Sequence, residues 1–252
     1  MIIQPMKRIA MALALVGAVI AATAQKITEW KELLTVVDEH QRTVYYDRES
    51  GKPLKGEYRI KRGLDLETVK FKNGMMDGEY RRYRNGELRE AGNYALGKRD
   101  GLFTEYHVGG KTVMKETPMS NGKIDGTVRT YFSNGALDTE KNYKMSVENG
   151  KERHFDKTDG KPVYEANYAN GKKDGMEWKT TDDGHGMRSN ILRHYKNGVL
   201  HGIYRNELMR NDGTLVYLVT GQYANGEKTG QWNECNCETG AVETKWHGKG
   251  NE

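Results

Sequence analysis

Two cysteines, Cys235 and Cys237, stand one residue apart and are the only thiols in the chain. A C-x-C pair can ligate a metal or cycle between dithiol and disulfide, but no further Cys or His stands at ligand spacing. Neighbours at this spacing on an extended strand point to one face and are poorly placed for an unstrained bridge, so the pair reads as incidental thiols or as the site of an intermolecular bridge. The histidines, His40, His107, His154, His185, His194, His201 and His247, form no H-E-x-x-H or other close ligand pair. The fragment Gly109-Gly110-Lys111-Thr112 imitates the end of a phosphate-binding loop, yet Glu105 occupies the position of its first glycine. Asp182-Asp183-Gly184 and Asn211-Asp212-Gly213 offer carboxylates without the remainder of a calcium loop. No G-x-S-x-G elbow exists. The expectation is a protein that is not an enzyme, with no cofactor and no metal.

The elements that carry these residues are repeats. The pattern Y-x-N-G-x-x-D-G-x-Y recurs as FKNGMMDGEY from Phe71, YALGKRDGLF from Tyr94, YANGKKDGMEW from Tyr168, YKNGVLHGIY from Tyr195 and YANGEKTGQW from Tyr223. Its first glycine is Gly74, Gly97, Gly122, Gly171, Gly198 and Gly226, and its second is Gly56, Gly78, Gly101, Gly126, Gly150, Gly175, Gly202 and Gly230. The second glycines lie 22 to 28 residues apart, giving about eight units with slightly growing loops and an incomplete last one. A second turn signal follows each: Asn85-Gly86, Gly109-Gly110, Asn134-Gly135, Asp159-Gly160, Asp183-Gly184, Asp212-Gly213 and Thr239-Gly240. Such dipeptides tolerate positive φ in type I′ hairpin turns. Each unit is therefore expected to be a β-hairpin, and the array an all-β, elongated and twisted antiparallel meander of about sixteen strands.

Two aromatic ladders supply its core. Seven places before the second glycine stand Phe71, Tyr94, Met119, Tyr143, Tyr168, Tyr195 and Tyr223, and two places after it Tyr58, Tyr80, Phe103, Val128, Tyr204 and Trp232. Tyr83, Tyr106, Tyr131 and Phe155, five places after, belong by alternation to the other face unless a bulge corrects the register. Units five and six break the rule. The fifth has Ser146 for the first glycine and Asn149 for the aspartate; the sixth has Glu177 at the aromatic position beside an exposed Trp178, followed by the polar stretch Thr180 to Asn190. A repeat that departs from its own core pattern marks a candidate partner-binding site, here Trp178, His185 and Arg188.

The domain plan is a signal peptide over residues 1–24, an N-terminal lead-in and cap over 25–55, and the repeat domain over 56–252. Lys7 and Arg8 precede the apolar run Ile9 to Ala22 and a small-residue site at Ala22-Thr23-Ala24, which reads as an export signal removed before Gln25. The run is short for a membrane span, so no transmembrane segment is expected in the mature chain, which is periplasmic, cell-surface or secreted. That chain holds 38 basic against 35 acidic residues, a balance that excludes a nucleic-acid partner.

The tandem Y-x-N-G-x-x-D-G-x-Y pattern, from about Tyr45 to Trp246, resembles the MORN-variant (MORN_2-type) repeat and the YwqK-like toxin-antitoxin antitoxin family. The resemblance implies a non-catalytic β-hairpin array used as an interaction platform. The expected function is that of an exported protein-binding scaffold. Binding of lipid head groups or glycans is the alternative, suggested by Trp178 and by Lys98, Arg99, Lys172 and Lys173 near the turns, and antitoxin-like neutralisation of a toxin is a third.

Overall fold

The computed structural model describes residues 26–248, so the signal-peptide reading of residues 1–24 lies outside the described residues. The chain is all-β, with one 19-stranded sheet and a separate two-stranded one. From Gly56 to His247 each strand pairs antiparallel with its sequence neighbours, and the substantial contacts run only between neighbours. Asp100 and Asp125 each interrupt a strand. Counting Lys98–Arg99 with Gly101–Tyr106, and Lys123–Ile124 with Gly126–Tyr131, the sheet consists of sixteen antiparallel strands and one parallel edge strand, Lys26–Glu29.

The motif's first glycine makes the hairpin turn. Asn73 and Gly74 have φ of 51° and 77° between the paired residues Lys72 and Met75, a two-residue turn of type I′ twist. Leu96-Gly97 and even Met145-Ser146 hold the same conformation. The second glycine makes a bulge: Phe71 opposes Met76 while Val69 opposes Tyr80, and Gly78 at φ 119° absorbs the extra length. The bulge also sets Gly78 opposite Tyr94 of the next strand, and the same pairing recurs as Gly126 with Tyr143, Gly150 with Tyr168 and Gly202 with Tyr223.

Successive turns are stitched together. Gly97 N–H donates to the Met76 carbonyl at 2.8 Å, Gly122 to Arg99 at 2.8 Å and Gly198 to Lys173 at 2.7 Å. The motif's aspartate adds a second stitch by accepting from the first turn residue of the following unit: Asp77 from Leu96 N–H (3.3 Å), Asp100 from Asn121 (3.1 Å) and Asp174 from Asn197 (3.0 Å). At Ser146 the side chain supplies a bond that glycine lacks, accepting from Ile124 N–H at 3.0 Å.

At the far end of the hairpins the expected uniform type I′ turns are replaced by a mixture. Asn85-Gly86 is a two-residue turn with both φ positive. Ser133–Gly135 and Asn211–Gly213 are three-residue loops with only the glycine at positive φ, and Lys157–Gly160 spans four residues. The growing repeat length goes first into these loops and then into strands: Met75–Arg84 has 10 residues, while Lys172–Asp182 has 11 and Val199–Arg210 has 12. The polar stretch after Thr180 is thus mostly strand.

Residues 26–55 close the first repeats. Leu33–Val37 and Thr43–Asp47 form the two-stranded sheet, Tyr45 stacks 5.1 Å from Phe71, and Leu33 and Leu54 are buried. Together with Tyr58, Ile60, Val69, Phe71, Met76, Tyr80 and Phe103 they make one apolar core. A second, at the other end, stacks Tyr204, Tyr223 and Trp232 with centroids 5.2–5.8 Å apart.

Candidate functional site

Between the two aromatic cores the inner face turns ionic. One cross-sheet row runs Tyr58, Val69, Tyr80, Gly92 at the N-terminal end and continues as Val128, Lys141, Glu152, Ala166, Glu177, Arg193, Tyr204, Gly221. Glu152 and Glu177 both occupy the position two after the bulge glycine that is Tyr80 or Trp232 elsewhere, and both are buried at 6% exposure. Lys141 lies 2.8 Å and His154 2.7 Å from Glu152. Glu177 is paired with Lys173, accepts from Tyr195 Oη at 3.1 Å and Tyr164 Oη at 3.4 Å, and lies 3.4 Å from Arg193. Burial pushes each carboxyl up, but these cations and hydroxyls outweigh it and hold both below the ordinary glutamate value of 4.5. With all its groups mutually satisfied, this cluster fits an internal support better than a ligand site.

The outer face carries a different row: Glu116, Arg129, Glu140, Arg153, Glu165, Trp178, Leu192, Arg205. Its first part is an ion-pair ladder, with Arg129 Nε 2.9 Å from Glu140 and Arg153 Nε 2.9 Å from Glu165. Tyr131, whose hydroxyl donates to Glu116 at 2.7 Å, shares this face, so the third aromatic register is outward and both faces carry aromatics. The bulges at Tyr83, Tyr131 and Phe155 leave that side unchanged.

At Trp178 the ladder stops. The strand before it ends at Pro162, and its last pairing is Tyr164 with Lys179, so Thr180 to Asp182 run past their neighbour. That step in strand length opens a groove of about 800 Å³. Trp178 and Leu192 supply apolar wall, Arg188, Arg205, Asp182 and Glu207 its polar wall. Arg205 is occupied by Glu207 at 2.5 Å, whereas Arg188, directly opposite Asp182 in the register, forms no ion pair among the described residues.

Of the three candidate binding residues, Trp178 and Arg188 therefore share one groove, with Trp178 half-buried rather than exposed. His185 does not line it: it sits exposed in the loop between the paired strands, its N–H donating to Asp183 at 2.7 Å. Leu192, Arg205 and Glu207 are groove residues that the repeat pattern did not single out, because they come from strands that reach it only through the sheet register. Glu152 carried a readable signal, its offset from Gly150 matching that of Glu177 from Gly175.

The turn-proximal cations divide. Arg99 reaches Glu90 at 2.7 Å and lies over Phe103 at 4.4 Å, and Lys173 is held by Glu177. The Cys235 and Cys237 thiols are free, with sulfurs 3.4 Å apart. Among the described residues no group of three or more metal-ligating side chains comes together, and no helix is long and apolar enough to cross a membrane. Neither a protein-family model nor a curated protein matches this chain.

Proposed function

We propose that this protein is an exported, non-enzymatic repeat scaffold of the MORN-variant type that holds an extended segment of another protein in the outer-face groove at Trp178. The observation that carries this reading is the break in the outer ion-pair ladder, where Trp178 and Leu192 replace paired charges beside Arg188, which faces Asp182 across the register without closing an ion pair among the described residues. A large aromatic flanked by arginine is the composition of an interface hot spot, and the partner that fits presents an apolar side chain to Trp178 and a carboxylate to Arg188. Lipid head-group binding is less favoured, because Arg99 and Lys173 are paired with Glu90 and Glu177. Glycan binding and toxin neutralisation remain as outcomes of the test.

That test is affinity capture from the envelope fraction with the tagged chain, compared with Trp178→Ala and Arg188→Glu variants. A protein retained by the parent chain and lost from both variants supports the reading. Retention of the same protein by the variants moves the interaction elsewhere, and recovery of lipid or glycan alone replaces it.

A further inference from the structure

The last strand, Ala241–His247, is an open edge: it pairs with Glu227–Asn236 on one side, and among the described residues nothing pairs with its other side. Open edges present a row of unpaired amides and carbonyls, and natural sheets blunt them with proline, bulges or inward charges. This one is seven residues long, has no proline and pairs without a register shift. Its outer-face residues Val242 and Trp246 are 63% and 76% exposed.

The sequence of the edge is self-complementary about Thr244. Laid antiparallel on itself with Thr244 on Thr244, Glu243 faces Lys245 and Val242 faces Trp246, each pair occurring twice. Opposite charges and aromatic with β-branched residues are the favourable cross-strand neighbours. The sheet supplies a second reason. Glu243 lies directly opposite Glu234, a like-charge neighbour that is unfavourable, and the cation within its own strand, Lys245, reaches it at 3.2 Å only from the side. A second copy would place a Lys245 squarely on the open side of Glu243.

We propose that the chain forms a two-fold dimer by antiparallel pairing of Ala241–His247 with the same strand of a second copy, joining two meanders into one continuous sheet. An interface of this length is small, so the association is weak, with a dissociation constant on the order of 10–100 µM. The pairing leaves both Trp178 grooves open, so the dimer would be bivalent towards whatever they bind, although the dimer itself does not depend on that reading.

Charge exchange across the axis tests the register. The purified chain from Gln25 onward is followed by sedimentation equilibrium between about 1 and 200 µM. Glu243→Lys sets two ammonium groups against each other, and Lys245→Glu two carboxylates; each is expected to weaken dimerisation about tenfold. The double exchange Glu243→Lys/Lys245→Glu restores opposite charges and should return the constant to within about threefold of the parent. These side chains are exposed, so folding, checked by thermal melting, is expected to be unchanged. A parent chain that stays monomeric, a dimer indifferent to the single changes, or a double exchange that fails to recover would each overturn the proposal.

Discussion

Gly92 lies directly beneath the ring of Phe103: a Cβ built there would stand 2.5 Å from ring carbon Cδ1. Gly221 has the same relationship to the indole of Trp232. Neither glycine needs a positive φ; each is small because the row position opposite an aromatic must be vacated for its ring. Gly92→Ala or Gly221→Ala should therefore overpack the core and cost about 1–3 kcal/mol in chemical denaturation. A change below about 0.5 kcal/mol in both would mean the rings are not seated there.

Glu177 is the hub for Lys173, Arg193, Tyr195 and Tyr164. Removing it leaves the half-buried Tyr164 and Tyr195 hydroxyls without this acceptor, while the cations, 29% and 38% exposed, can turn to water. Glu177→Ala is thus expected to cost about 2 kcal/mol, less than a fully enclosed ion pair would. Unfolding free energies within error of the parent would assign the cluster no structural weight.

Acid sensitivity follows from the same groups. The folded values of Glu152 and Glu177 lie below 4.5, so their contribution is fully present above that pH and is lost as pH falls through the depressed folded values. Glu67, raised by burial, acts in the opposite sense. Urea midpoints should decline on the acid side of about pH 4.5, and the Glu152→Gln/Glu177→Gln chain should show a shallower decline. Parallel acid limbs in the two proteins would place the sensitivity elsewhere.

The turn-stitching aspartate gives a prediction in each direction. Asp174→Ala removes the acceptor of Asn197 N–H and should cost about 1 kcal/mol. His201 holds the equivalent position ahead of Gly202, and no side chain among the described residues accepts from Asn225 N–H; His201→Asp should supply that bond and raise stability by about 0.5–1 kcal/mol. Thermal melts of the pair should move in opposite directions.

The all-β meander, its strand number and its turns at Gly74, Gly97 or Gly226 were legible in the sequence because each depends on residues a few positions apart. A dipeptide able to hold two positive φ values makes a type I′ turn wherever it stands, and a repeat spacing of 22 to 28 residues leaves room for only two strands. The stitch between Asp77 and Leu96 is not local, but it recurs with the motif and so leaves a trace in the pattern. The groove leaves none. It arises because Thr180 to Asp182 outrun the neighbouring strand, and because bulge-set register brings Leu192 and Arg205 beside Trp178. The charged middle of the inner face was decided in the same way. Glu152 is buried against Lys141 of the adjacent strand, and Glu177 adds Arg193 from the next strand to Lys173 of its own; sequence proximity does not encode which cation will stand across the ladder. Local conformation was fixed residue by residue; the partners across the sheet were fixed by strand length and register, which only the assembled sheet sets.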